Sequence, residues 1–198
     1  MFPIFLKLEG RRCLVVGAGS VAEGKIDGLL QAGALVEVVA PWAAPQIQEW
    51  FEQCALTWKP RTFESSDLDD VSLVIAATPS RQVNTQIFQE ARLRNVLCNS
   101  VDDPENCDFY YGAVVRRGDL QIAISTNGRS PALAQRLREE LEQQFGPEYE
   151  MWLSELGAAR DQMFAAKLDV EARKKLLHEL ASREAFNNRN IVQRGRSN

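Results

Sequence analysis

The stretch Leu14-Val15-Val16-Gly17-Ala18-Gly19-Ser20-Val21-Ala22 decides the fold. An apolar run enters two glycines spaced G-x-G, and Ala22 follows three residues after the second. Helical spacing then begins (Ala22, Ile26, Leu29, Leu30), Gly33 ends it, and a second apolar run covers residues 35–40. This pattern predicts a βαβ unit with a dinucleotide fingerprint in its first turn. Gly17 permits the tight turn. Gly19 lets backbone approach a pyrophosphate, and Ala22 lets helix pack closely on strand. Ser20, Val21 and Ala22 open the helix, where free N–H groups and the positive dipole end favour phosphate. The other reading of the same glycines is a tight strand-to-helix turn and nothing more. An acidic residue normally sits about 20 positions on, at the end of the second strand, to hold the ribose. Glu37 has that count but lies mid-strand, so it reads as a solvated or helix-facing residue. The strand ends at Ala40-Pro41, and backbone groups near Pro41 and Trp42 are expected to hold the ribose. Charge alone does not choose between NAD and NADP.

A chain of 198 residues can hold one full domain and a smaller appendage. Its net charge of −4 gives no support for a nucleic-acid partner. No apolar run approaches the roughly 18 residues of a membrane span. The apolar start, residues 1–6, is too short for a signal sequence, and its basic residues follow it. The expectation is a cytoplasmic protein. Cysteines stand at 13, 54, 98 and 107, with no C-x-x-C spacing. Cys13 and Cys98 fall in apolar strand segments and read as reduced core residues. With His178 the sole histidine, no metal site is expected.

Further along, residues 45–53 read as a helix, 56–58 as a short strand, 70–77 as a buried strand, 80–94 as a helix and 96–99 as another strand. The alternation predicts an α/β fold, a Rossmann-type parallel sheet, over residues 1–108. The pattern then changes. Residues 109–115 and 120–125 read as strands with a four-residue link, which predicts an antiparallel hairpin. Ser130 and Pro131 are a good N-cap and first helical residue, and Leu133, Leu137, Leu141 and Phe145 recur every four positions until Gly146-Pro147. A hairpin plus one amphipathic helix has little core of its own, so residues 109–146 read as a dimerisation region. Residues 147–198 read as a helical region, with Trp152, Leu156, Ala159 and Met163 on one face and a frayed polar tail from position 187.

Three clusters could carry chemistry. The first is the nucleotide crevice beyond the carboxyl ends of the strands, reached by residues 17–22, Ala40, Pro41, Thr78 and Asn99. Thr78 either bonds the nicotinamide side of a cofactor or serves the turn before Pro79. The second is Asn99-Ser100-Val101-Asp102-Asp103-Pro104 after the last parallel strand. Its adjacent carboxylates are either general-base candidates or a plain D-D-P turn. The third is Ser125-Thr126-Asn127-Gly128-Arg129-Ser130 at a helix start, either an anion site or a solvated basic face. His178, alone on a late helix, reads as a surface or packing residue.

These clusters, in this order, resemble the precorrin-2 dehydrogenase family, which also forms the first half of siroheme synthases. The matching stretches are Pro3-Ile4-Phe5, V-V-G-A-G-S-V-A-E-G-K, V-V-A-P, A-A-T, C-N-S-V-D-D-P and A-I-S-T-N-G-R-S-P-A-L-A-Q-R-L-R. The last two are the specific ones. The resemblance implies NAD-dependent oxidation of precorrin-2 to sirohydrochlorin, with Asp102 as the catalytic residue. It further implies substrate binding by residues 125–130, a homodimer built through the hairpin-helix region, and a helical C-terminal part that helps cover the tetrapyrrole. Some members also insert iron, so a bifunctional dehydrogenase and ferrochelatase is the alternative. No methyltransferase segment is seen in this sequence, and that methylation is expected from another protein. Gly24 stands where the family carries a basic residue, Thr126 where some fused members carry a phosphorylatable serine, and Asn127 where it carries glycine. A reading from a different class is a non-catalytic NAD(H) sensor, against which the 125–131 loop argues.

Overall fold

The computed structural model describes the backbone of residues 1–196 and the side chains of residues 1–189. The chain divides into two compact units, Met1–Tyr110 and Tyr111–Asn198.

The first unit is built on five parallel strands: β1 (Arg12–Val16), β2 (Leu35–Val39), β3 (Thr57–Lys59), β4 (Leu73–Ala76) and β5 (Leu97–Ser100), in the spatial order β3-β2-β1-β4-β5. The central strands β1, β2 and β4 are mostly apolar because both faces are covered. Alternate residues go to opposite faces. Cys13, Val15, Val36, Val38, Leu73 and Ile75 meet α1 (Ser20–Gln31) and α2 (Pro45–Glu52) through Ala22, Ile26, Leu29 and Ile47. Leu14, Val16, Val39, Val74, Ala76 and Cys98 meet α3 (Arg81–Leu93) through Ile87, Phe88 and Ala91. Each aliphatic side chain so buried stabilises the fold by about 1.5–3 kcal/mol relative to exposure. This is the predicted Rossmann-type sheet. The strand order reverses between β1 and β4, which opens the crevice above their carboxyl ends.

Two local features were not expected. Short 3-10 turns follow β3 at Ser65–Leu68 and β5 at Pro104–Asn106. Glu37 is held in ion pairs across the strands. Lys59 Nζ reaches it at 2.7 Å and Arg12 at 3.9 Å, and Lys59 with Arg61 also grips the buried Asp67. A chain of alternating charges therefore ties β1, β2 and β3 together on one face of the sheet.

The second unit contains an antiparallel hairpin, β6 (Ala113–Arg117) and β7 (Leu120–Ile124). The link is two residues, not four: Arg116 and Arg117 pair with Gln121 and Leu120, and Gly118 turns the chain at φ +55°. The first strand starts later than predicted because Phe109 packs against the core of the first unit, where its carbonyl accepts from Asn99 Nδ2 at 2.8 Å. Helix α4 (Pro131–Gln144) is capped as the sequence predicts, with Ser130 Oγ accepting from the Leu133 N–H at 3.2 Å. Its other end is held by Arg117, whose guanidinium donates to the Phe145 and Glu142 carbonyls. Of its apolar stripe only Ala134 is buried; Leu133 is 48% exposed, and Leu137 and Leu141 are half-buried.

Helices α5 (Glu148–Ala165), α6 (Val170–Leu180) and α7 (Arg183–Arg196) follow. The break after α5 is made by Lys167 at φ +50°, and Asp169 caps α6 by accepting from the Glu171 and Ala172 N–H groups. An aromatic cluster of Phe145, Tyr149, Trp152 and Phe186 forms the core of this part. The predicted frayed tail is helical through Arg196, because the buried Phe186 and the Arg189–Glu155 ion pair anchor the first turns of α7 and elongation from a formed turn costs little. Residues 197 and 198 lie outside the described part. Among the described residues no helix is long and apolar enough to cross a membrane.

Candidate functional site

Gly17 and Gly19 have different physical reasons to be glycine. Gly17 stands at φ +104°, and a Cβ there would meet the Ala77 carbonyl oxygen at 2.3 Å. Its requirement comes from the fold: the turn after β1 is pressed against the end of β4. Gly19 has an ordinary φ of −87°, and a Cβ there would meet nothing within 4 Å. The protein backbone does not demand glycine at 19. What its missing side chain leaves is open space at the first turn of α1, beside exposed Ser20 and Val21 and the N–H groups that no helical turn can satisfy. Ala22 is buried against the sheet, as predicted. Ser100 Oγ, at the end of β5, is buried with no hydrogen-bond partner among the described residues. The open space at a helix start fits the phosphates of a bound dinucleotide.

Ala40 closes β2. Its N–H donates to Lys59 O, and its carbonyl accepts from Trp58 Nε1 at 3.0 Å. Pro41 and Trp42 lie exposed beyond it. No free carboxylate stands on β2, since Glu37 is spent on Lys59 and Arg12.

A recess of about 690 Å³ opens at the ends of β4 and β5, lined by Thr78, Asn84, Arg81, Val101, Asp102 and Asp103, with three neighbours from the adjoining turns. Asp102 lies exposed at its rim at φ +58°. That left-handed conformation is one aspartate tolerates better than most residues. Asp103 does something else. It is buried, accepts from Arg81 Nε at 3.2 Å and from Asn106 Nδ2 at 2.9 Å, and so pins the turn after β5 to α3. The two readings of the D-D-P segment thus fall on different residues: Asp103 builds the turn and Asp102 faces the recess.

Sequence reading missed two residues here. Lys25, on α1, lies within electrostatic reach of Asp102. Burial pushes its ammonium below the usual lysine pKa, and the Asp102 carboxylate pulls it partly back. Its position in V-A-E-G-K, one helical turn past the fingerprint, was the available signal. Asn84 is buried on α3 and grips Thr78 from both sides: Oδ1 accepts from Thr78 Oγ1 at 2.7 Å and from its N–H, and Nδ2 donates to its carbonyl. The Thr78 hydroxyl also accepts from the Ser80 N–H. Thr78 therefore lines the recess, but its hydroxyl is engaged in the turn. The Asn99 amide is likewise engaged, donating to Phe109 O, and Asn99 is not among the residues that line the recess.

In the second unit, residues 125–130 form a closed turn. Arg129 N–H donates to Thr126 O at 3.0 Å, and the central residues Asn127 and Gly128 stand at φ +54° and +75°. Two positive φ angles define a primed turn, which asparagine tolerates, and this explains Asn127 where glycine is usual. Thr126 Oγ1 donates to Ser130 O and accepts from Ser130 N–H, and Ser125 Oγ accepts from Asn127 N–H. Arg129 is left exposed at the tip.

Residues 4–113 match the family described as putative NAD(P)-binding, and residues 117–144 match sirohaem biosynthesis protein central. The chain belongs to the putative NAD(P)-binding family. It is 47% identical over 143 residues to a siroheme synthase of Acinetobacter baylyi, a match covering 72% of this chain and 31% of that protein. A siroheme synthase of Photorhabdus laumondii is 44% identical over 140 residues, covering 71% and 30%. The chain thus spans about a third of the length of these curated relatives. Among solved structures, SirC, a precorrin-2 dehydrogenase, superposes with a TM-score of 0.81 at 28% identity, covering 100% of both chains.

Proposed function

We propose that this chain oxidises precorrin-2 to sirohydrochlorin, with NAD as the acceptor. The observation that carries the reading is Asp102: a carboxylate in a left-handed turn, exposed at the rim of a recess beyond the parallel strands, in a chain that matches a precorrin-2 dehydrogenase over its whole length. NAD bound above β1 and β4 would supply the hydride acceptor. The residues proposed to hold it are Gly17, Gly19, Ser20, Val21 and Ala22 at the phosphates, Ala40 and Pro41 at the ribose, and Thr78 and Asn99 by the backbone near the reacting ring. Asp102 accepts the proton that the substrate gives up as its C–H bond transfers two electrons. The Lys25 ammonium lies within electrostatic reach of the Asp102 carboxylate and is proposed as its charged neighbour in the site. Asn84 fixes the Thr78 turn and so the floor against which substrate and cofactor are aligned.

The substrate is a polycarboxylate. Ser125, Thr126, Asn127, Gly128, Arg129 and Ser130 are proposed to bind its acid side chains, with Arg129 as the charged contact. A half-exposed leucine stripe on α4 and a hairpin with two free edges support a homodimer through this region. The reduced, buried thiols of Cys13 and Cys98 suit a reducing compartment, and cytoplasmic location is proposed on that ground.

Anaerobic incubation with precorrin-2 and NAD tests the proposal. Sirohydrochlorin absorbance should rise in step with NADH. Tight NADH binding without any change in the tetrapyrrole spectrum would instead indicate a nucleotide sensor.

A further inference from the structure

The side chain of Arg81 is a wall of two cavities at once. One is the 690 Å³ recess that Asp102 borders. The other is a groove of about 460 Å³ lined by Arg81, Gln82, Thr85, Gln86 and Gln89. Positions 82, 85, 86 and 89 share one face of α3. That face presents amides and a hydroxyl with no acid among the groove's lining residues.

We infer that Arg81 and this glutamine face form a subsite for one carboxylate arm of the tetrapyrrole; the inference rests on the reading that such a polycarboxylate is the substrate. Arg81 is 79% exposed, yet it is oriented: Nε donates to Asp103, whose carboxylate is 8% exposed and fixed in turn by Asn106. Asn106 also donates to Thr85 Oγ1 at 3.2 Å, so the same network reaches the groove's own lining. Holding Nε this way leaves the two Nη groups for a ligand, and they make no hydrogen bond or ion pair among the described residues. A guanidinium already fixed in place loses little freedom on binding and can meet a carboxylate with two parallel hydrogen bonds. The Gln82 and Gln89 amides beside it can donate to the same group without adding charge, while Gln86 donates to Glu90 at 2.9 Å. An arm entering here leaves the ring edge that bears it at the Asp102 recess, because Arg81 borders both spaces. Arg81 is thus assigned to choosing and orienting the substrate, while Asp102 takes its proton.

The test compares full-length wild type with Arg81→Gln, Arg81→Lys and Arg81→Gln/Asp103→Asn. Kinetics are measured with precorrin-2 and with NAD, and binding with sirohydrochlorin. Arg81→Gln should raise the KM for precorrin-2 and the Kd for sirohydrochlorin about tenfold, the loss expected for one charge-assisted contact, with the KM for NAD unchanged. Arg81→Lys should recover part of the loss. The double variant removes the uncompensated Asp103 charge; its tetrapyrrole KM should stay high if Arg81 meets the substrate. A return to the wild-type value would show that Arg81 serves only the turn, and would overturn the subsite. So would a rise in the KM for NAD alone, or single-variant values within twofold of wild type. Wild type without turnover on precorrin-2 defeats the functional reading itself; sirohydrochlorin binding that is absent, or equal in wild type and Arg81→Gln, then defeats the subsite separately.

Discussion

Replacing Gly17 and Gly19 by alanine, one at a time, separates what the fingerprint does for the fold from what it does for a ligand. A methyl at 17 would sit 2.3 Å from the Ala77 carbonyl oxygen and 2.6 Å from its carbon. Ordinary contact needs about 1 Å more. The neighbour is the backbone just past β4, bonded through Ala77 N–H to Val16 O at 2.8 Å, so it cannot rotate away. Forced overlap in a packed region costs about 1–3 kcal/mol, and φ +104° adds about 1–3 kcal/mol for a residue with a side chain. The sum, about 2–6 kcal/mol, is a large share of the roughly 5–15 kcal/mol that holds a domain folded. For a unit of this size Gly17→Ala should lower Tm by about 10 °C or more, or prevent folding. Gly19→Ala meets nothing and keeps an allowed φ, so its Tm should stay within about 3 °C. Its methyl instead fills the space left for the pyrophosphate, and NAD affinity should fall about tenfold, near 1.4 kcal/mol. Thermal unfolding by circular dichroism gives the first quantity and titration calorimetry with NAD the second. Equal Tm losses in the two variants, or unchanged NAD affinity in Gly19→Ala, would refute the division of labour.

Other outcomes follow from the site and the charge network. Asp102→Ala should bind NAD as wild type does and lose turnover on precorrin-2; normal turnover would remove Asp102 from the mechanism. For Asp67, burial alone would raise the carboxyl pKa, but the Arg61 and backbone Glu64 hydrogen bonds and the Arg61 and Lys59 charges hold it below the usual value. A depressed folded pKa means stability that is present above the unfolded value, near 3.8, and lost as pH falls through the folded one. Asp67→Asn should cost about 2–3 kcal/mol at pH 7 and flatten the acid limb of the urea midpoint against pH; an unchanged limb would disprove the assignment. Thiol labelling with an aromatic disulfide at pH 7.5 should modify the exposed Cys54 first. Cys13 and Cys98, whose burial pushes them up to about 11 and about 12, should react only on unfolding.

The sheet was legible because both its faces are buried: continuous apolar runs such as residues 12–16 have no other use, and glycines punctuate them. Strand ends were less legible. Periodicity did not show that Phe109 would pack back on the first unit, or that Arg116 and Arg117 would join the ladder and leave Gly118 and Asp119 to turn. At the candidate site, D-D-P drew attention to a segment that lines the recess but could not divide it, since the difference between Asp102 and Asp103 is made by Arg81, distant in sequence. Thr78 and Asn99 were read from position along the strands, whereas their side-chain bonds depend on Asn84 and Phe109. Lys25 stands in the V-A-E-G-K stretch one turn past the fingerprint, but a helical repeat does not report which of its residues comes within reach of a distant loop.

The indole of Trp58 donates to the carbonyl of Ala40, the residue that closes β2, and Trp42 stands 64% exposed two residues further on. Intrinsic fluorescence therefore carries a label at that strand end. A nucleotide seated there should quench it and accept its energy in the reduced form, so occupancy can be followed in unmodified protein, without substrate.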